Sequence, residues 1–237
     1  MPTRFTFDPA ADRNAVWSPD SRNIIFSSSR KGHDDIYRKS ANGVGQEELL
    51  YADDHDKHPV SLSRDGKFLL YSSGGPLDLF VLPLSPDTPG VRLKPFPFLQ
   101  NKFNKVFAQF SPDGRWVVYD SNESQRYEVY VAPFARPSEK HQISPSSGTR
   151  PRWRPDGKEI FYLAGGGQLI AAEVRITAEK VEVGSVQVLF GGLPVGKGYL
   201  YDVSADGQRI LAAVPPETRR GAEPITLVQN WAAGLKR

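Results

Sequence analysis

The chain has 237 residues, of which 39% are hydrophobic, and its 4 Trp, 9 Tyr and 13 Phe are ample for a sizeable core. With 30 Lys and Arg against 27 Asp and Glu the net charge is only +3, far from the dense basic stripe of a nucleic-acid binder, so no nucleic-acid partner is expected. There is no cysteine, which excludes disulfides, thiolate metal sites and cysteine nucleophiles.

Residues 4–7, Arg-Phe-Thr-Phe, read as a short strand, and the opening Met1-Pro2-Thr3-Arg4-Phe5 has no apolar core of a signal peptide. A second strand, 14–17, runs into Trp17-Ser18-Pro19-Asp20-Ser21. There Pro19 presets φ for a type I turn and the aspartate favours the residues that follow it. The apolar run 23–27 is patterned as a strand buried on both faces, 35–37 as its neighbour and 47–51 as a fourth strand. The same phrase returns as Leu62-Ser63-Arg64-Asp65-Gly66, Phe110-Ser111-Pro112-Asp113-Gly114, Trp153-Arg154-Pro155-Asp156-Gly157 and Val203-Ser204-Ala205-Asp206-Gly207. Strands follow each copy at 68–71, 116–119, 160–163 and 210–213, then at 78–80, 128–130, 168–170 and 226–228. Fourth strands are expected at 95–99, 141–144 and 186–190, and none after Trp231. The apolar runs are of strand length, well short of the roughly 20 residues of a membrane-spanning helix, so no membrane insertion is expected.

The turn aspartates stand 45, 48, 43 and 50 residues apart. A period in the forties, with four β segments per period, predicts an all-β, five-bladed β-propeller of four-stranded antiparallel blades. One domain over residues 1–237 is expected, with strand 4–7 completing the last blade and closing the ring. That closure would hide a sheet edge. The five aspartates read as turn-formers, and Trp17, Phe110 and Trp153, at equivalent repeat positions, read as core. A monomer is expected.

The run Trp-Ser-Pro-Asp, then strand, then Asp35-Ile36-Tyr37 resembles the WD-repeat-like Pro-Asp repeat of TolB-like propellers. Segments 4–9, 47–50, 97–100, 110–116, 153–163 and 201–207 are similar to the C-terminal propeller regions of bacterial TolB-like proteins, often fused to serine/threonine kinases. The resemblance implies a non-catalytic binding or sensing platform and a bacterial extracytoplasmic or periplasmic location. The chain has no Gly-rich phosphate loop with a strand lysine, no His-Arg-Asp loop and no Asp-Phe-Gly, so kinase chemistry does not transfer.

In such a ring the long loops before each first strand gather on one face, and function is expected there. Arg13, Asn14, His58, Lys105, Arg150, Lys197 and Tyr199 lead into successive first strands, so ring closure would set them around the channel mouth. The cations among them, with Lys57, would attract a small anionic ligand or an acidic protein segment. On the same face His33, His55, Asp56 and His58 bring imidazoles and a carboxylate together, a donor set suited to zinc or manganese. That leaves open an alternative, a metal-dependent hydrolase of the lactonase or phosphotriesterase kind. A third reading is part of a longer repeat array with no site of its own. No cofactor beyond such a metal is implied.

Overall fold

The computed structural model describes residues 4–84, 94–177, 180–193 and 200–213, together with the backbone of a strand at Thr226–Gln229. The first sheet contains β1 (Asp12–Trp17), β2 (Asn23–Ser28), β3 (Asp35–Ser40) and β4 (Glu48–Tyr51), in that order. The second contains β5 (Lys57–Leu62), β6 (Phe68–Ser73), β7 (Asp78–Pro83) and β8 (Phe96–Leu99). The third contains β9 (Lys105–Phe110), β10 (Trp116–Ser121), β11 (Glu128–Pro133) and β12 (His141–Gln142). The fourth contains β13 (Thr149–Trp153), β14 (Glu159–Ala164), β15 (Gln168–Ile176) and β16 (Val181–Phe190). The fifth has three strands among the described residues, β17 (Tyr201–Val203), β18 (Arg209–Ala212) and β19 (Thr226–Gln229). Every pairing is antiparallel between chain neighbours.

The repeated phrase builds the turn between the first and second strand of each sheet. In the third sheet the Ser111 hydroxyl donates to Asp113 Oδ1 at 2.6 Å and accepts from the Trp116 amide at 2.9 Å. Asp113 Oδ1 also accepts from the Arg115 amide at 3.1 Å, and Gly114 supplies the left-handed residue at φ 72°. The turns at Asp20, Asp65 and Asp206 repeat the Ser–Asp pair. In the fourth sheet Arg154 stands in the serine's place and Asp156 keeps only the amide of Lys158, at 3.0 Å, and a longer contact with Arg154.

The core lies between sheets. Ile25 and Ile36 of the first pack with Leu69, Tyr71 and Leu82 of the second. Leu70 and Val81 pack with Phe110, Val117 and Tyr119 of the third, and Trp116 and Val131 with Trp153, Ile160 and Tyr162 of the fourth. Phe161, Leu163 and Leu169 pack with Tyr201, Ile210 and Ala212 of the fifth. Among the described residues no such cluster joins the fifth sheet to the first.

Two expectations change here. Phe110 and Trp153 are buried against the preceding sheet, but Trp17, their counterpart, is 58% exposed, and no described residue of the fifth sheet packs on it. Residues 4–7 form no strand and pair with none of the described strands. Instead the Phe5 carbonyl accepts from the buried ammonium of Lys39 at 2.9 Å, and the Phe5 and Phe7 rings lie 5.3 and 5.6 Å from that ammonium. A buried cation needs ligands, and the N-terminal segment supplies them with Glu47, at 2.8 Å. This holds the segment against the rim of the first sheet.

Candidate functional site

The first strands of all five sheets line one cavity of about 720 Å³. Four residues before each turn aspartate stand Val16, Ser61, Gln109, Arg152 and Asp202, and all five face this cavity. Trp17, Leu62, Val60, Val106, Phe107 and Pro59 add an apolar wall, and Asn14, His58 and Ser72 add polar edges. An apolar cavity with a few convergent polar groups is the usual form of a binding site.

A backbone device shapes its mouth. β1, β5, β9 and β13 each carry a bulge where they pair with the next strand. Six residues before the turn aspartate, Asn14, Phe107 and Arg150 take φ of 54°, 50° and 56°. Proline excludes that conformation at the matching position of the second sheet, Pro59. Left-handed backbone at a bulky residue costs roughly 1–3 kcal/mol, and a bulge re-aims the side chain it carries. Phe107 is thereby turned into the cavity wall, and the Arg150 guanidinium lies over its ring at 4.9 Å. The Tyr201 hydroxyl donates to the Arg150 carbonyl at 2.7 Å, tying the fifth sheet to the same bulge.

Behind this wall sits Asp120 of β10, fully buried. Its Oδ2 accepts from the Arg150 amide at 3.0 Å and from the Thr149 hydroxyl, and its Oδ1 has no partner. Burial pushes the carboxyl up to about 7 in spite of those two donors and the Arg150 charge.

The expected cations are placed differently from their role at the mouth. Lys105 is buried, with its ammonium 2.5 Å from Asp78 and capped by the Asn101 carbonyl. Lys57 is buried likewise, 2.8 Å from Asp35 and 2.9 Å from Asp53. Both stand eight residues before a turn aspartate and reach a carboxylate at the start of the third strand of the preceding sheet, so each clamps two sheets together. Lys105 therefore presents no charge to the cavity, because its desolvated ammonium is held in an ion pair. Arg150 is buried as well, and exposed Arg13 is paired with Asp34 at 3.2 Å. Asn14 and His58 do line the cavity. Lys197 and Tyr199 lie outside the described residues.

His33, His55, Asp56 and His58 gather around one shallow depression beside Asp54 and Gly74. Their donors are already committed or too far apart to share an ion. Asp56 accepts from the Asp34 amide at 2.9 Å with His33 at 3.5 Å, and that amide above all holds its carboxyl below the usual range. His55 stands 3.8 Å from Asp53, whose carboxylate serves Lys57 and Tyr51. Among the described residues no three His, Cys, Asp or Glu side chains are arranged to hold a metal ion, so the hydrolase alternative is not favoured.

The offset from each turn aspartate was the available signal for what the sequence reading missed. Counting back four residues in each repeat finds the five channel positions, and counting back eight finds both clamp lysines. Asp120 could be found as the residue seven beyond Asp113, where the first two repeats have Ser27 and Ser72.

No family model matches the chain, and no curated protein does. Among solved structures, TolB from Acinetobacter baumannii superposes with a TM-score of 0.67 at 19% identity, over 92% of this chain and 52% of that one. A putative TolB from Agrobacterium tumefaciens gives 0.57 at 16% identity, over 74% of this chain and 65% of that one. The Cps50 (Swd1) β-propeller domain of Myceliophthora thermophila gives 0.60 at 14%, over 94% and 71%. The fold is thus that of TolB-like and related β-propellers, and the chain spans between half and two thirds of the TolB proteins it resembles. No helix among the described residues is long and apolar enough to cross a membrane.

Proposed function

We propose that this chain is a non-catalytic five-bladed propeller module that takes an extended protein segment into the mouth of its channel. The observation that carries the reading is a cavity of about 720 Å³ bordered by all five inner strands, with Trp17, Phe107 and Val60 on its wall. Large rings on such a wall, beside Val16 and Val60, offer contact area to a chain laid across them, and Trp is among the residue types most enriched where binding energy concentrates. The polar ring of Ser61, Gln109, Arg152 and Asp202 carries both signs of charge, which suits the alternating donors and acceptors of a peptide backbone. A small anion is favoured less, because Lys105 and Arg150 are buried and Arg13 is paired.

A peptide selected from a random display library on the intact protein tests this. Trp17→Ala or Phe107→Ala should weaken it by tenfold or more, about 1.4 kcal/mol or above. Arg115→Ala, beside the turn on the opposite face, should leave it unchanged. Selected peptides insensitive to both channel substitutions would overturn the reading.

A further inference from the structure

We propose that Asp120 is a positioning residue that couples the channel wall at Arg150 and Phe107 to its own protonation, so that the channel takes its peptide when this carboxyl is neutral and releases it on ionisation. The release half rests on the peptide-binding reading above; the coupling to the wall does not.

The repeat itself isolates the residue. Seven positions beyond the turn aspartate, the first sheet has Ser27, whose hydroxyl donates to the Arg13 carbonyl of its own sheet at 3.2 Å. The second has Ser72, which faces the cavity, and the fourth has buried Leu163. In the third sheet this place holds a titratable group, and it reaches across to the next sheet. Its Oδ2 takes the Thr149 hydroxyl and the Arg150 amide, the two residues that begin the β13 bulge. Arg150 in turn stacks on Phe107, and Phe107 lines the cavity. One side chain therefore stands between a buried proton site and the binding wall.

The neutral acid suits this place and the anion does not. Oδ1 is buried with no donor facing it, so ionisation leaves half of the carboxylate unsolvated. The charged groups on the strands around it are few. β9 offers Lys105, held by Asp78, and β11 offers Glu128, held by Arg126 at 2.9 Å and the Tyr130 hydroxyl at 3.0 Å. β13 offers Arg152, which stands 3.6 Å from Asp202, and Arg150, the one whose charge acts on Asp120. An ionised Asp120 is relieved by drawing the Arg150 guanidinium toward it or by admitting water between the third and fourth sheets. Both withdraw the cation from the Phe107 ring and change the wall. The carboxyl's midpoint near 7 places the change in the neutral range.

The experiment pairs two readouts on the full chain and on Asp120→Asn, which keeps the shape and an acceptor but cannot ionise. The first is hydrogen exchange of the Arg150 amide, corrected for intrinsic chemistry; the second is affinity for the display-selected peptide. Between pH 6 and 8, about one unit either side of the midpoint, the neutral fraction falls about tenfold, so wild-type affinity should fall about tenfold and Arg150 exchange should quicken. In Asp120→Asn both should stay flat within about twofold. Thr149→Val removes a donor to the carboxylate and should move the wild-type midpoint to higher pH, a shift that a purely structural role would not produce. A wild-type chain with pH-independent Arg150 exchange, or an Asp120→Asn variant with unaltered pH dependence, overturns the proposal. Should no peptide bind at any pH, the functional reading fails while Arg150 exchange still judges the coupling.

Discussion

Two kinds of aspartate in this chain answer pH in opposite directions. In the turns the carboxyls of Asp20, Asp65 and Asp206 are held below the ordinary value chiefly by the serine hydroxyl two residues earlier. At Asp113 burial works the other way, but the hydrogen bonds from Ser111 and Arg115 outweigh it and the carboxyl is again lowered. A depressed carboxyl contributes stability that is present above its unfolded pKa near 3.8 and lost as pH falls further. Asp120 has the reverse sign. Raised to about 7, it binds its proton more tightly in the folded chain, so stability falls as pH climbs from about 4 to 7. Asp120→Asn should therefore stabilise the chain at pH 8, by at most about 4 kcal/mol for a shift of three units, and do nothing near pH 4. Urea unfolding at the two pH values measures this, and an equal effect at both would contradict it. Asp113→Ala removes the hydrogen bonds from the Ser111 hydroxyl and from the amide and side chain of Arg115, and should cost about 1–3 kcal/mol in the same assay, with peptide affinity unchanged in the folded fraction. A stable Asp113→Ala protein that no longer bound peptide would move that aspartate from turn to site.

Between elements, the clamp lysines show how far sequence reasoning reached. The turn phrase and its spacing located the start of the second and third strands of every sheet to within one residue, because Pro, Asp and Gly act on the chain locally. Most of these strands run on past their expected ends, by six residues at Gln168–Ile176. Side-chain direction is not local. Lys105 reads as a channel-mouth cation when only its place before a first strand is considered. Its burial follows from Asp78, 27 residues earlier, at the start of a third strand in the preceding sheet. The fourth sheet lacks the clamp for a steric reason: Gly148 holds the lysine's place, and a Cβ there would lie 2.8 Å from that of Ser144. Lys105→Met should destabilise the chain by about 3–5 kcal/mol, since it strands the Asp78 carboxylate, whereas the double change Lys105→Met, Asp78→Leu should recover most of the loss. Chemical denaturation of the two variants checks this, and a double variant no more stable than the single would show that the pair acts through something other than mutual charge. Trp17 was misjudged for a related reason. Its repeat position predicts a core residue, and the burial of Phe110 and Trp153 agrees, but position in a repeat cannot say whether a preceding sheet covers it.

Across the whole molecule, four apolar clusters join five sheets in succession, while Trp17 on the first and Leu211 on the fifth remain exposed. β18 shows the asymmetry in four residues, since Ile210 and Ala212 are buried against the fourth sheet and Arg209 and Leu211 face away from it. The channel thus has one wall, at β1, whose largest ring is not covered by the described residues. That ring is the natural reporter for the proposed binding. With fluorotryptophan incorporated throughout, the Trp17 resonance in a fluorine NMR spectrum is assigned by its loss in Trp17→Phe. Adding the display-selected peptide should shift that resonance and reduce its solvent isotope effect, leaving buried Trp116 and Trp153 where they were. A peptide that binds while the Trp17 resonance stays fixed and solvent-exposed would place the site elsewhere and contradict the channel as the seat of recognition.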